Sequence, residues 1–184
     1  GVDIVRRYTG GGAVFHETEI TYSIIIPEKE VAKDIIESYS YICQGIILGL
    51  KGLGIKATFK PINDVVVDTK KISGNAQTRK MGVVLQHGTI LVNVDVEKMF
   101  SLLRVSKEKV SDKDIKNVRE RVTWINRELN SEVALVKIEE CLIQGFSKAL
   151  SCELKQGALT FEELRQALLI STEKYSTFEW NFWR

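Results

Sequence analysis

Apolar residues at Val31, Ile35, Tyr39, Ile42, Ile46, Leu50 and Leu53 recur every three or four positions, which lays one stripe along a helix from Lys29 to Leu53. Gly54 is a natural stop for it. Before this helix, Thr21 to Ile26 alternates and then runs apolar up to Pro27, the pattern of a strand. Two shorter runs, Val2 to Arg6 and Ala13 to Phe15, read as strands on either side of three glycines. After the helix come Val65 to Val67, Lys71 to Ala76 and Met81 to Val94. The last has Val83-Val84-Leu85 and Ile90-Leu91-Val92 on either side of His87-Gly88, and β-branched runs of this kind predict strands.

The pattern then changes to helices: Val96 to Leu103, Asp112 to Arg121, Lys137 to Ser151 and Thr160 to Lys174. Thr160 and Glu163, three residues apart, predict a capping box at the start of the last one. Ser106 to Asp114, rich in Lys, Ser and Asp, reads as a loop. Strands early and helices late define an α+β class, and the absence of repeats or linkers favours one domain over residues 1–184.

Composition adds mainly exclusions. With 44% apolar and 27% charged residues in 184, the chain has the balance of an ordinary globular domain. A net charge of +2 gives no general pull toward nucleic acid or an anionic membrane. No apolar stretch approaches the length of a membrane span, so a cytoplasmic location is expected. Cys43, Cys141 and Cys152 are odd in number and widely spaced, which argues against a disulfide framework or a zinc site. Cys43 and Cys141 fall in helical apolar patterns and read as buried thiols.

Candidate chemistry begins at Arg6-Arg7-Tyr8-Thr9-Gly10-Gly11-Gly12. Glycines can take positive φ and bring backbone N–H groups close to an anion, while arginine supplies forked, permanently charged donors. The same segment also reads as a plain tight turn between strands. A second segment, Asn63-Asp64-Val65-Val66-Val67-Asp68-Thr69-Lys70-Lys71-Ile72-Ser73-Gly74, has the pattern of a hairpin that places Lys71 on a strand and Lys70 on its opposite face. Asn63-Asp64 alone reads rather as a turn after Pro61.

Taken in order, Arg7, Gly10 to Phe15, Asn63-Asp64, Lys71-Ile72-Ser73-Gly74 and Gln86-His87-Gly88-Thr89-Ile90-Leu91 resemble the lipoate-protein ligase A family. The likeness extends to Val118 to Thr123 and to Lys174 to Asn181. It implies a mixed β-sheet flanked by helices, the catalytic-domain fold of biotin and lipoate ligases, related in architecture to class II aminoacyl-tRNA synthetases. Family chains begin with a further segment before the glycine motif, so the domain is expected to be N-terminally incomplete.

The resemblance implies ATP-dependent activation of lipoate to lipoyl-AMP, then transfer of the lipoyl group to a lysine of a lipoyl-acceptor domain. It makes Lys71 the catalytic residue, an ammonium that stabilises developing negative charge. Arg7, Gly12, Ala13, Val14 and Phe15, with Lys71, would bind ATP. Gly10, Gly11, His16, Asn63, His87 and Thr89 would line the substrate site, and Asp64 would hold Mg2+ bridging the phosphates. Arg79 reads either as a phosphate contact or as part of an exposed turn. Val83 to Val94, with Tyr22 and Val65, reads as apolar walls for the acyl chain or as plain core.

Implied partners are lipoyl domains of 2-oxoacid dehydrogenase or glycine cleavage proteins, with a small accessory subunit or a missing N-terminal segment as a further partner. The aromatic tail Phe178, Trp180, Phe182 and Trp183 should dock on the main domain or on such a subunit. Two alternatives stand beside the ligase. One is an octanoyl or lipoyl transferase of the same superfamily, which would take acyl from a carrier protein without ATP. Such enzymes place a nucleophilic cysteine before the Asn63-Asp64 region, where Ala57-Thr58-Phe59-Lys60-Pro61 has none. The other is a catalytically incomplete binding subunit.

Overall fold

The computed structural model describes residues 1–103 and 120–182. It divides into two compact units, Gly1–Gly10 with the chain from Leu154 onward, and Gly11–Glu153. The boundary falls inside the glycine triplet.

The larger unit holds a five-stranded sheet in the order β1-β5-β4-β3-β2. Its strands are β1 (Glu19–Pro27), β2 (Thr58–Lys60), β3 (Asp64–Val67), β4 (Lys70–Lys80) and β5 (Val83–Leu91). All pair antiparallel, and a single parallel bridge, Lys71 to Val122, supplies the mixed character among the described residues. Val2 to Arg6 and Ala13 to Phe15 are not strands; the chain is irregular up to Thr18. Among the described residues those short runs have no ladder partner.

The hairpin from β4 to β5 is longer than the sequence suggested. Met81 and Gly82 both have positive φ (56° and 73°), the conformation a two-residue hairpin turn requires. A methionine in that conformation gives no turn signal, so the strand expected from Met81 starts at Val83 and Arg79 belongs to β4. Gly88 does not interrupt β5. A Cβ there would lie 2.4 Å from Asn75 Oδ1 and 2.6 Å from the Gly74 carbonyl, so close approach requires the glycine.

One face of the sheet is covered by two antiparallel helices, α1 (Ile35–Gly52) and the long helix that follows α2 (Val96–Leu102) and α3 (Ile125–Leu129), namely α4 (Leu135–Ala149). Helix α1 starts later than the apolar stripe implied because Asp34 caps it, accepting from Glu37 N–H. The stretch before it forms a short 3₁₀ turn at Glu28–Glu30. It ends in a Schellman arrangement: Gly54 N–H bonds Lys51 O and Ile55 N–H bonds Leu50 O, with Gly54 at φ 90°. Ile42, Ile46 and Leu50 of α1 pack with Ile138, Leu142 and Phe146 of α4 and with Val65, Ile72, Val84 and Ile90 of the sheet. Cys43 and Cys141 are buried, as expected.

Most of the helix expected over 112–121 and the whole of the 106–114 loop lie outside the described residues; Glu120 and Arg121 form a turn. Helix α3 gave no sequence signal because it has little more than one turn.

In the smaller unit, α5 (Phe161–Ile170) carries the expected capping box, Thr160 with Glu163. It runs into a π-turn (Ser171–Tyr175), and α6 (Phe178–Phe182) follows. Trp180 Nε1 donates to Arg6 O at 2.7 Å, and the Trp180 ring sits under Lys174 Nζ at 4.2 Å. The aromatic tail thus docks on the first residues of the chain, while Phe178 and Phe182 stack on each other and stay exposed. Trp183 lies outside the described residues. No helix among the described residues is long and apolar enough to cross a membrane.

Candidate functional site

Strand alternation sends Val65, Val84 and Ile90 to the helices and their neighbours to the opposite face. On that open face one register row runs Lys60, Asp64, Gly74, Thr89, Thr21 across all five strands. The next row brings His87 opposite Ala76 and Ser23. Asp64, His87 and Thr89, selected from sequence, therefore share one surface with Lys71.

Lys71 is held in three ways. A bulge at Ile72 lets Val65 pair with Ser73 and Val66 with Lys71, so Ile72 and Ser73 both turn inward while Lys71 stays on the open face. Its backbone is clamped by a strap after the undescribed segment: Lys71 N–H donates to Arg121 O at 2.8 Å, and Thr123 N–H donates to Lys71 O at 2.9 Å. Its ammonium lies 2.6 Å from Asp64 Oδ1, with the two side chains 42% and 30% exposed. The strap was missed in the sequence, because a single bridge to Val122 leaves no local pattern.

Asn63 ends the turn between β2 and β3 and is spent on structure. Its side chain donates to Asn75 O at 2.5 Å, while the Asn75 side chain and backbone both donate back to Asn63 O. This lacing fixes Asp64 as the first residue of β3. His16 pairs with Glu19 Oε1 at 2.6 Å and so anchors the start of β1. Phe15 lies 5.7 Å from Lys98 Nζ, which also pairs with Glu17; helix α2 thus holds the far side of the glycine loop. Gly11 has φ 107°, a value L side chains rarely adopt, whereas Gly10 and Gly12 border open space. Ala13 and Val14 are exposed.

In the smaller unit, Arg7 donates from Nε and Nη2 to Gly10 O, closing a small loop, while Arg6 is bonded to Asn181. The two arginines thus have different partners. Arg79 is a correction: it is neither an exposed turn nor an open phosphate contact. Its side chain is 19% exposed, donates to Ala32 O at 2.6 Å and faces Glu28 at 3.7 Å, pinning the link between β1 and α1.

Tyr22, Val65, Val84 and Ile90 belong to the core side, so the wall reading fails for them and the core reading holds. Under the sheet Tyr22 donates to Asn75 Oδ1 and accepts from Gln86 Nε2, which also reaches Cys43 Sγ at 3.6 Å. Burial pushes the Cys43 thiol up to about 12, and it pushes Tyr22 and Tyr39 up as well. Among the described residues no three His, Cys, Asp or Glu side chains cluster to hold a metal. A cleft of about 500 Å³ lined by Val94, Asp95, Val96, Glu97, Glu120, Trp124 and Arg127 contains none of the candidate catalytic, nucleotide, substrate or metal residues; of the segments singled out from sequence for resemblance or as acyl walls it takes only Val94 and Glu120.

An antiparallel sheet backed on one face by paired helices is the catalytic-domain fold of the lipoate and biotin ligases. A biotin protein ligase from Aquifex aeolicus, at 15% identity and TM-score 0.55, shares that fold over 73% of the chain. The chain belongs to the lipoyl protein ligase A/B catalytic domain family, which it matches over residues 1–147.

Among solved structures, a bi-partite lipoate protein ligase from Thermoplasma acidophilum is 32% identical with TM-score 0.86, covering 98% of this chain and 70% of that one. A lipoate-protein ligase A bound with ATP is 27% identical with TM-score 0.81, covering 98% and 72%. Among curated proteins, the octanoyltransferase LipM of Brevibacillus brevis is 34% identical over 100% of this chain and 76% of its own length. LipM of Staphylococcus aureus is 34% identical over 99% and 75%.

Proposed function

We propose that the chain is the catalytic domain of an ATP-dependent lipoate-protein ligase. One observation carries this choice over the transferase: no thiol is placed to carry an acyl group. Cys43 is fully buried on the helix side with a raised pKa, and Cys141 is buried between α4 and α1. Cys152 follows the end of α4, where the antiparallel α1 begins. Gln77, bonded to Ser38 in the first turns of α1, marks that end on β4, about 20 Å of strand from Lys71. A buried, protonated thiol is a poor nucleophile. Acyl activation by a nucleotide needs no protein nucleophile, only anchored cations and donors.

In the reaction proposed, a lipoate carboxylate oxygen attacks the α-phosphorus of ATP and pyrophosphate leaves. The amine of an acceptor lysine then attacks the acyl carbonyl, AMP leaves and a proton is released. Lys71 stabilises charge on phosphate and carbonyl oxygens from a fixed point on the open face, where Thr89 and His87 provide neighbouring polar contacts. The Gly12 to Phe15 segment, in the same unit as Lys71, binds the nucleotide. Asp64 is a lone carboxylate, a donor set that fits Mg2+ completed by phosphate oxygens and water. That cation would neutralise phosphate charge. Lipoyl domains are the acceptors proposed, in line with the E2 lipoyl domain that accompanies the Thermoplasma ligase.

A second reading, ATP-independent transfer of octanoate from a carrier protein, is favoured by the LipM relatives. Intact-mass analysis of an apo lipoyl domain separates the two. The domain is incubated with the chain and either lipoate with Mg-ATP or octanoyl carrier protein alone. A lipoyl mass shift that requires ATP supports the ligase; modification from the carrier without ATP overturns it. Modification by either route only after adding cell extract assigns the chain to an incomplete subunit.

A further inference from the structure

Gly74 stands between Asp64 and Thr89 in the row that crosses the open face. It has no role in the reading above and no turn or positive φ to explain it; it lies in the interior of β4, where a glycine weakens a strand. A Cβ built on it would lie 2.7 Å from both Cε and Nζ of Lys71. The next nearest atom is Asp64 Oδ1 at 4.0 Å, and among the described residues no backbone atom beyond the two chain neighbours comes closer. The Lys71 side chain therefore lies over the bare Cα of Gly74 and reaches Asp64 through the space a methyl group would fill.

We propose that Gly74 is a positioning residue for Lys71: its missing side chain is the channel through which the ammonium reaches the row shared by Asp64 and Thr89. This deepens the proposed function and rests on its assignment of Lys71. The bulge at Ile72 fixes where Lys71 leaves the strand, and Gly74 fixes where its charge ends. A methyl group at 74 sends the ammonium to solvent without disturbing the sheet, because the atoms it would crowd are the far end of a flexible side chain.

Two measurements test this on the full chain. The first is competitive labelling of lysines with an amine-acylating reagent, read by peptide mass spectrometry. In Gly74→Ala, Lys71 labelling should rise at least fivefold relative to Lys70, as it should in Asp64→Asn, with an unchanged melting temperature. Unchanged Lys71 labelling in a folded Gly74→Ala overturns the proposal.

The second measurement is a double-mutant cycle on acyl-adenylate formation. Gly74→Ala should lower the rate at least tenfold in the wild-type background, with KM for ATP changed less than kcat, and should cost nothing further in Lys71→Ala. An equal loss in both backgrounds means a merely structural effect and sinks the idea. If Gly74→Ala fails to fold, Gly74→Ala with Lys71→Ala must fold, since the space is then vacant; failure of both overturns the proposal. If the wild-type chain forms no adenylate, the functional reading fails while the labelling still decides the role of Gly74.

Discussion

The Lys71 ammonium meets Asp64 diagonally: Lys71 is registered with Val66 and Asp64 with Gly74, yet Nζ and Oδ1 are 2.6 Å apart. The bulge and the bare Gly74 make that diagonal possible. In the proposed reaction Lys71→Ala removes a fixed positive charge from the point where phosphate and carbonyl oxygens gain negative charge. Losing one such donor typically costs about 100- to 1,000-fold in rate. Acyl-adenylate formation, followed by pyrophosphate release, should fall by that factor, while the melting temperature stays within a few degrees because the pair is half exposed. A variant with full adenylation activity removes Lys71 from the mechanism.

The two covering helices make a second, purely structural prediction. A Cβ on Gly145 would lie 2.3 Å from the Gly45 carbonyl oxygen and 2.4 Å from the Gly49 backbone nitrogen. Unlike the neighbours of Gly74, these are main-chain atoms that cannot step aside, so Gly145→Ala must push α1 and α4 apart. Overpacking of this kind costs about 1–3 kcal/mol or more. Chemical denaturation should show a clear drop in midpoint or no folded protein at all.

Sequence periodicity captured α1 and α4 well because each buries one stripe over several turns, whereas α5 buries no residue and was legible from its Thr160–Glu163 capping box. It failed where structure depends on what lies opposite in space. Val2 to Arg6 looked like a strand but has no ladder partner among the described residues, and Met81 carries a hairpin turn in a conformation methionine seldom adopts. Arg79 looked solvated until β4 extended past it and Ala32 supplied an acceptor. At the site, the motif residues Lys71, Asp64, Thr89 and His87 were legible as a set. The Val122 strap and the role of Gly74 were not, since both are defined only by cross-strand register and a side chain's path.

The buried thiol and phenol under the sheet predict a one-sided pH response. Cys43 is pushed up to about 12, chiefly by burial, and Tyr22 is raised by the same cause. Both groups hold their protons in the folded state at pH values where the unfolded chain releases them. The folded state then binds more protons, so stability falls as pH rises. The contribution is fully present below the ordinary thiol value of about 9 and is lost progressively between there and about 12. Urea midpoints measured from pH 7 to 11 should be flat to about pH 8.5 and then decline. Cys43→Ala should reduce the slope, and an identical decline in that variant would rule out the thiol as a contributor.

Tyr22 also ties three strands together without touching the open face. Its hydroxyl donates to Asn75 Oδ1 at 2.6 Å on β4 and accepts from Gln86 Nε2 at 2.8 Å on β5, while its ring packs 5.2 Å from Phe146. Tyr22→Phe keeps the ring contact and removes only the hydroxyl. Asn75 Oδ1 is then left with Ser73 Oγ at 3.4 Å, a long contact, and Gln86 Nε2 with the Cys43 sulfur at 3.6 Å, a weak acceptor. Leaving buried polar groups underpaired costs about 1–3 kcal/mol each, so the variant should unfold at lower denaturant by an amount in that range. Because Asn75 and Asn63 are laced through each other's carbonyls next to Asp64, the same variant should also slow adenylation modestly, by less than tenfold. A stability loss with wholly unchanged kinetics would show that the network beneath the sheet supports the fold but not the site.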